Sequence, residues 1–388
     1  MTKQGKKMKK YLLPFLAFAT LALAVACEKD SDESVTPPQN PEQPTEGVFS
    51  PQRRIASIWV DGAASEQWVW ENNLLQRVEV PNDEGSFVPA SSFSYDASSR
   101  FSTATVTDSM FGSMVVNYSY QGSLLQSLDV NVMGMSAVTA NVQHSGDKAT
   151  HVDLEINSAV LQLLASLLGG GGGEELPARG ASPMVDLLSD LLTPQGLRGM
   201  MRCVPQHASA SKLAIEGIGC TIDFSWEGDN MVQARIAANL QGTVTAAELS
   251  NLIELVSTFV DLDGLSSIGT IIGMFGEETV LPITLGVGDT IDLTYDNKPN
   301  PFHGFIARLD PMVLSANNVL THTSRGSLSG SISADFPILG TQTYPFSFAL
   351  PASSSTFVYT YATDGYPTQV NSTDEDGEVS TSEYRYAE

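Results

Sequence analysis

Basic residues are scarce in this chain. Of 388 residues only 20 are Lys or Arg, against 44 Asp or Glu, for a formal net charge of −24. Lys3, Lys6, Lys7, Lys9 and Lys10 crowd the amino terminus, and the first 26 residues carry no acid; beyond them 15 bases face 44 acids, a net of −29. Nucleic acid and anionic lipid are gripped by clusters of Lys and Arg that displace counterions, so binding to either by charge is excluded. Histidine (5) and cysteine (3) are few, and no two histidines stand at a usual metal spacing. There is no G-x-S-x-G nucleophile elbow, and the glycines 169–173 lack the Lys and Ser/Thr that complete a phosphate loop. Past the amino terminus no apolar run is long enough to span a bilayer as a helix: the stretch 249–275 is broken by Glu254, Asp261 and Asp263. Apolar residues still make up 42%, enough for an ordinary core, which excludes a disordered chain. No cofactor and no metal site is expected.

The amino terminus indicates export. A lysine-rich start is followed by an apolar run, Tyr11 to Ala26, too short for a spanning helix and suited to a signal peptide. It ends Ala24-Val25-Ala26-Cys27, which resembles the lipobox of bacterial lipoproteins, with Ala24 where Leu is usual. The resemblance implies acylation of Cys27 and a leader of residues 1–26. An acidic run from Glu28 to Glu33, then Pro37, Pro38, Pro41 and Pro44, reads as an extended spacer over 27–48. The acidic run also resembles the surface-export signal of Bacteroidetes lipoproteins. Cys203 and Cys220 remain; in an exported protein they either pair, closing a loop for about 3 kcal/mol, or stay buried as free thiols.

Residues 49–388 read as one β-rich domain built on a repeat. Trp68-Val69-Trp70, Phe93-Ser94-Tyr95 and Tyr118-Ser119-Tyr120 follow one another at 25-residue spacing. Each is followed by a polar turn and an apolar start to the next strand, as in Asn72-Asn73 before Leu74-Leu75. Weaker copies occur at Val142-Gln143-His144, Phe224-Ser225-Trp226, Tyr359-Thr360-Tyr361 and Tyr384-Arg385-Tyr386. Aromatics at i and i+2 share one face of a strand, so the unit is a hairpin and the whole an antiparallel meander. The fold class expected is mainly β, a long rolled sheet of repeated hairpins. Apolar helical insertions are expected at about 158–202 and 245–276, the latter opened by a Thr245/Glu248 capping box, packing on one face of the sheet.

The aromatic hairpins, the segment Tyr295-Asp296-Asn297-Lys298-Pro299-Asn300-Pro301-Phe302, the segment Leu314-Ser315-Ala316-Asn317-Asn318-Val319, and Asp364-Gly365-Tyr366-Pro367 resemble a Bacteroidetes surface lipoprotein family of unknown function with a porin-like fold. The resemblance implies a rolled antiparallel sheet on an exported lipoprotein. It brings no catalytic residues, and "porin-like" does not here imply a pore.

Candidates for chemistry are sparse. His151, Asp153 and Glu155 share one strand face and offer N and O ligands, or form the solvent face of an edge strand. Asp374 to Glu378 is an acidic turn with part of a calcium-loop pattern. Asp108-Ser109-Met110 and Asp289-Thr290-Ile291 resemble a short O-glycosylation sequon. Trp68, Trp70, Tyr95, Tyr118 and Tyr120 either form an exposed ladder that stacks on sugars or a protein, or pack in the core. The functional expectation is a lipid-anchored outer-membrane protein facing the cell surface, not an enzyme, acting as a structural module or as a binder of a glycan or an envelope protein. The alternative is a hydrolase of extracellular polymers using two carboxylates.

Overall fold

The computed structural model describes residues 47–82, 84–108, 112–132, 134–157, 214–247, 249–250, 269–270, 272–307, 311–336, 340–350 and 352–387. Its strands are β1 Ile55–Val60, β2 Ala63–Glu71, β3 Leu74–Pro81, β4 Phe87–Tyr95, β5 Phe101–Asp108, β6 Gly112–Gln121, β7 Leu124–Val132, β8 Met135–Ser145 and β9 Lys148–Ile156. They continue as β10 Ala214–Glu227, β11 Asn230–Thr245, β12 Val280–Pro299, β13 Asn317–Phe336, β14 Gly340–Ala349, β15 Ser353–Tyr361, β16 Pro367–Thr373 and β17 Val379–Tyr386.

Apart from β14 and β15, neighbours in sequence pair antiparallel, and β17 pairs with β1 (Ile55↔Tyr386), so the sheet closes on itself. Along β13 the strands β14 and β15 lie end to end: Ser327 pairs with Ala349, and Ser324 with Ser353. They occupy one position in the wall, which makes a 16-strand antiparallel barrel. Closure removes the edges of the lower barrel, the usual liability of an all-β protein.

Polarity runs opposite to that of a lipid-facing barrel. Trp68, Leu75, Phe93, Phe101, Val116, Leu125, Leu128, Val152, Ile222, Phe224 and Ile291 point inward and are buried. Between them, Asp129, Asp153, Asp223, Arg235, Asp292 and Arg325 lie on the outer face with Ser, Thr, Asn and Gln. Residues 300–307 and 311–316, between β12 and β13, fill the lower barrel. Phe302, Phe305, Ile306, Val313 and Leu314 pack into the core with Phe49. Phe305 centres 4.8 Å from Phe49, 5.1 Å from Trp68 and 5.6 Å from Phe93.

The motif around Asn300 and Ser315 holds this plug. Asn300 Nδ2 donates to the Ser315 carbonyl at 2.9 Å, and the Phe302 N–H donates to Asn300 Oδ1. Asn230 and Asn317 exchange hydrogen bonds, and the Met231 N–H donates to Ser315 Oγ.

The expected helices on one sheet face are not supported. Residues 158–202 and most of 245–276 lie outside the described residues. Among the described residues the one helix with defined bounds is α1, Pro311–Leu314, a single turn within the plug.

Candidate functional site

The aromatic pairs build the lower rim. In each of these hairpins the register shifts immediately before the second member of the pair: Val69/Trp70, Ser94/Tyr95, Ser119/Tyr120, Gln143/His144, Ser225/Trp226, Thr294/Tyr295 and Thr360/Tyr361. In five of them the bulge turns that ring toward the preceding strand, where its polar atom donates to a buried carbonyl, whereas Tyr361 Oη donates to the Asp296 carboxylate. Trp70 Nε1 donates to Ile55, Tyr95 Oη to Leu75, Tyr120 Oη to Phe101, Trp226 Nε1 to Ala149, Tyr295 Oη to Met231 and Tyr386 Oη to Pro367, at 2.5 to 2.8 Å. Three of the scarce bases lie over these rings: Arg53 over Tyr386, Arg100 over Tyr120 and Lys148 over Trp226. Each is also paired to a turn aspartate, Asp364, Asp96 and Asp229 respectively.

Of the five candidate ladder residues, then, Trp68 and Tyr118 are buried and Trp70, Tyr95 and Tyr120 are half-buried against the same core. They pack, and do not present an exposed stacking surface.

Cys27 and Cys203 lie outside the described residues; Cys220 is a buried free thiol whose pKa burial pushes up to about 12. His151 is on the outer face of β9, which is an interior strand flanked by β8 and β10. Its Nδ1 lies 2.7 Å from Asp223 and its Nε2 3.1 Å from Asp153. These carboxylates raise its pKa, Asp223 foremost. Glu155 is exposed farther along the strand, and among the described residues no three ligands gather for a metal. In the β16–β17 turn the Asp374 carboxylate already accepts the N–H groups of Asp376 and Glu378.

A site that sequence reading passed over lies inside the wall. β10 to β13 are longer than the strands opposite, and with β14 they continue the wall upward as a curved sheet. The inner face of this extension is apolar, in rows set by register. From below upward they are Val287–Leu328–Phe348, Leu285–Gly330–Phe346 and Ile283–Ile332–Tyr344. Ile283 and Ile332 are buried in a second small core with Val244, Leu249, Ile272 and Leu281. Leu240, Leu285, Phe346 and Phe348 are half-buried against this core, and Val287 and Leu328 are half-buried below them.

At the lower end of those rows stands Asp289, 3% exposed and directed inward. Both its carboxylate oxygens lie 2.7 Å from Ser324 Oγ, and the Thr290 and Arg325 N–H groups also donate to it. Burial raises its pKa, while these hydrogen bonds and nearby His322 pull the other way. Directly across from Ser324, Ser353 is also 3% exposed, and its hydroxyl has no hydrogen-bond partner. The Asp289-Thr290 pair, read as a sequon, therefore has its acid inside the barrel. Alternation along β12 was the signal that could have found it: Asp289 falls in phase with Ile283, Leu285, Val287 and Ile291.

Compared with known proteins, the chain matches no family model. No curated protein matches it either. Among solved structures it is similar to a porin-like protein from Bacteroides uniformis ATCC 8492, at 8% identity and a TM-score of 0.27, over 88% of this chain and 100% of that one.

Proposed function

We propose that this is a lipid-anchored envelope protein, facing the cell surface, whose barrel stands in water as a closed body and binds a ligand without catalysis. The observation that carries this reading is the polarity of the wall. A barrel that crosses a membrane needs an apolar outer band, and Arg or Lys at mid-membrane on that face costs about 2–4 kcal/mol each. Here Arg235, Arg325, Asp223 and Asp292 take the outer face, and the plug closes the lower bore with phenylalanines. An anchor is therefore needed to hold the molecule at a membrane, and acylated Cys27 with the spacer to residue 48 supplies one. A ligand is accommodated on the inner wall of the extension formed by β10 to β14.

The chain starting after Cys27 is expected to purify as a folded protein without detergent and to give no conductance in planar bilayers. Protease added to intact cells should cleave the spacer. A requirement for detergent, or channel currents, would overturn the water-standing barrel; protection of the spacer would place the protein on the periplasmic side. Hydrolysis of an extracellular polymer by the purified chain would overturn the non-catalytic role.

A further inference from the structure

The cylinder closes below, but its extension does not. Above Glu155↔Gly219, the last pair between β9 and β10, the wall continues through β10 to β14 alone, and such a strip has two flanks. On one flank β14 pairs with β13 from Phe336↔Gly340 to Ser327↔Ala349, without a bulge. Among the described residues no strand pairs with the other side of β14. Which groups face that open side follows from one bond. The Leu350 N–H donates to the Gly326 carbonyl at 2.9 Å, one step past the Ser327↔Ala349 pair. Backbone groups alternate in direction along a strand, so Phe348, Phe346, Tyr344 and Gln342 turn theirs toward β13. Thr341, Thr343, Pro345, Ser347 and Ala349 turn theirs to the open side. The Thr341 carbonyl accordingly accepts from the neighbouring Gln342 side chain, at 3.2 Å.

Pro345 therefore stands where its missing N–H takes nothing from the β13 ladder. One residue to either side, a proline would delete a ladder bond. On the open side it leaves a gap in the row of donors, and its ring projects toward any approaching strand. The other devices that blunt a sheet edge are missing from β14. Its ten residues carry no charge and no bulge, and they alternate Thr and Ser outward with Tyr344, Phe346 and Phe348 inward. An uncharged, β-prone edge of this length otherwise invites a like strand.

We infer that Pro345 guards this edge against pairing with a second copy of the chain. A like copy fits the edge by symmetry: two β14 strands running antiparallel across a two-fold axis present identical rows to each other, with no charge on either to repel. In that pairing each copy's proline withholds one donor, and its ring crowds the opposing carbonyl. The guard costs the barrel no bond of its own.

The test compares the mature chain, Pro345→Thr, and Pro345→Thr combined with Ser347→Lys by sedimentation velocity over a range of concentrations at physiological salt. The unaltered chain should stay monomeric. Pro345→Thr restores two donors per pair and should self-associate about tenfold or more tightly than the unaltered chain. The lysine, on the exposed outer face of the same edge, should reverse this. Melting curves establish that the variants are folded, and Pro345→Thr should melt no lower than the unaltered chain. Residue-resolved amide exchange gives a second readout: in the unaltered monomer Thr343 and Ser347 should exchange about tenfold or more faster than Tyr344 and Phe346. The inference is overturned if Pro345→Thr associates no more tightly than the unaltered chain, or if the lysine leaves its association intact. Protection of Thr343 and Ser347 in the unaltered monomer would also overturn it, because the edge would then already be covered.

Discussion

Tyr118 and Tyr120 stand two residues apart on β6 with opposite hydrogen-bonding fates. Tyr120 Oη donates to the Phe101 carbonyl at 2.8 Å, whereas the Tyr118 hydroxyl is buried with no partner. The same one-atom change therefore has opposite signs at the two positions. Tyr120→Phe leaves a buried carbonyl without its donor and should destabilise by about 1–2 kcal/mol. Tyr118→Phe deletes a buried unsatisfied hydroxyl and should be neutral or stabilising. Urea denaturation of the two variants in parallel checks this, and equal losses would mean that the rim bond contributes nothing.

Phe305 is the central ring of the plug, with Phe49, Trp68, Phe93 and Phe101 around it at 4.8 to 5.9 Å. Phe305→Ala should open a cavity and lower stability by about 3–5 kcal/mol. If the loss stays near the level of a surface substitution, the plug is not part of the cooperative core.

Glycines in the wall separate by what they face. A Cβ on Gly330 would meet the Thr284 carbonyl oxygen at 2.3 Å, and backbone cannot move aside. Gly330→Ala is expected to cost about 1–3 kcal/mol, the usual range for overpacking. On Gly286 the nearest atom is the Ser329 hydroxyl at 2.8 Å, which can rotate away, so Gly286→Ala should be milder. Thermal midpoints measured side by side decide between them.

Much of the barrel was legible in the sequence because its repeat is physical. Turns such as Asn72-Asn73, both with positive φ, and the aromatic pairs that follow one another at fixed spacing announce hairpins directly. What could not be read was which way Trp70 or Tyr95 turns, because the bulge that aims each ring is a feature of pairing and leaves no composition signal. Closure depends on Ile55 meeting Tyr386, a contact between chain ends that local pattern does not encode. The plug was hidden for a related reason: Asn300 and Ser315 look like loop residues until their hydrogen bonds show that they fix Phe302 and Phe305 inside the bore. The burial of Asp289 is hard to read from sequence because a carboxylate is a poor prior for a buried position.

Stability should depend on pH through Asp289. Burial raises its pKa above the ordinary 3.8, so the folded state holds that proton more tightly than the unfolded chain. Its contribution is therefore fully present below pH 3.8 and is lost as pH rises through the folded value. Asp289→Asn should raise the melting temperature near neutral pH, with the gain shrinking as pH falls toward that of an ordinary aspartate. A gain that is the same at both ends, or a loss at neutral pH, would show that the Ser324 and backbone bonds outweigh burial.

The pairing of β1 with β17 also sets a schedule for biogenesis. Because the seam is made by the first strand and the last, the cylinder cannot lock before its final strand is present, and the rim bond from Tyr386 is among the last residues to arrive. A chain with so late a closing step stays open until its final strand has been made, and a seam between such distant segments is a slow contact to find.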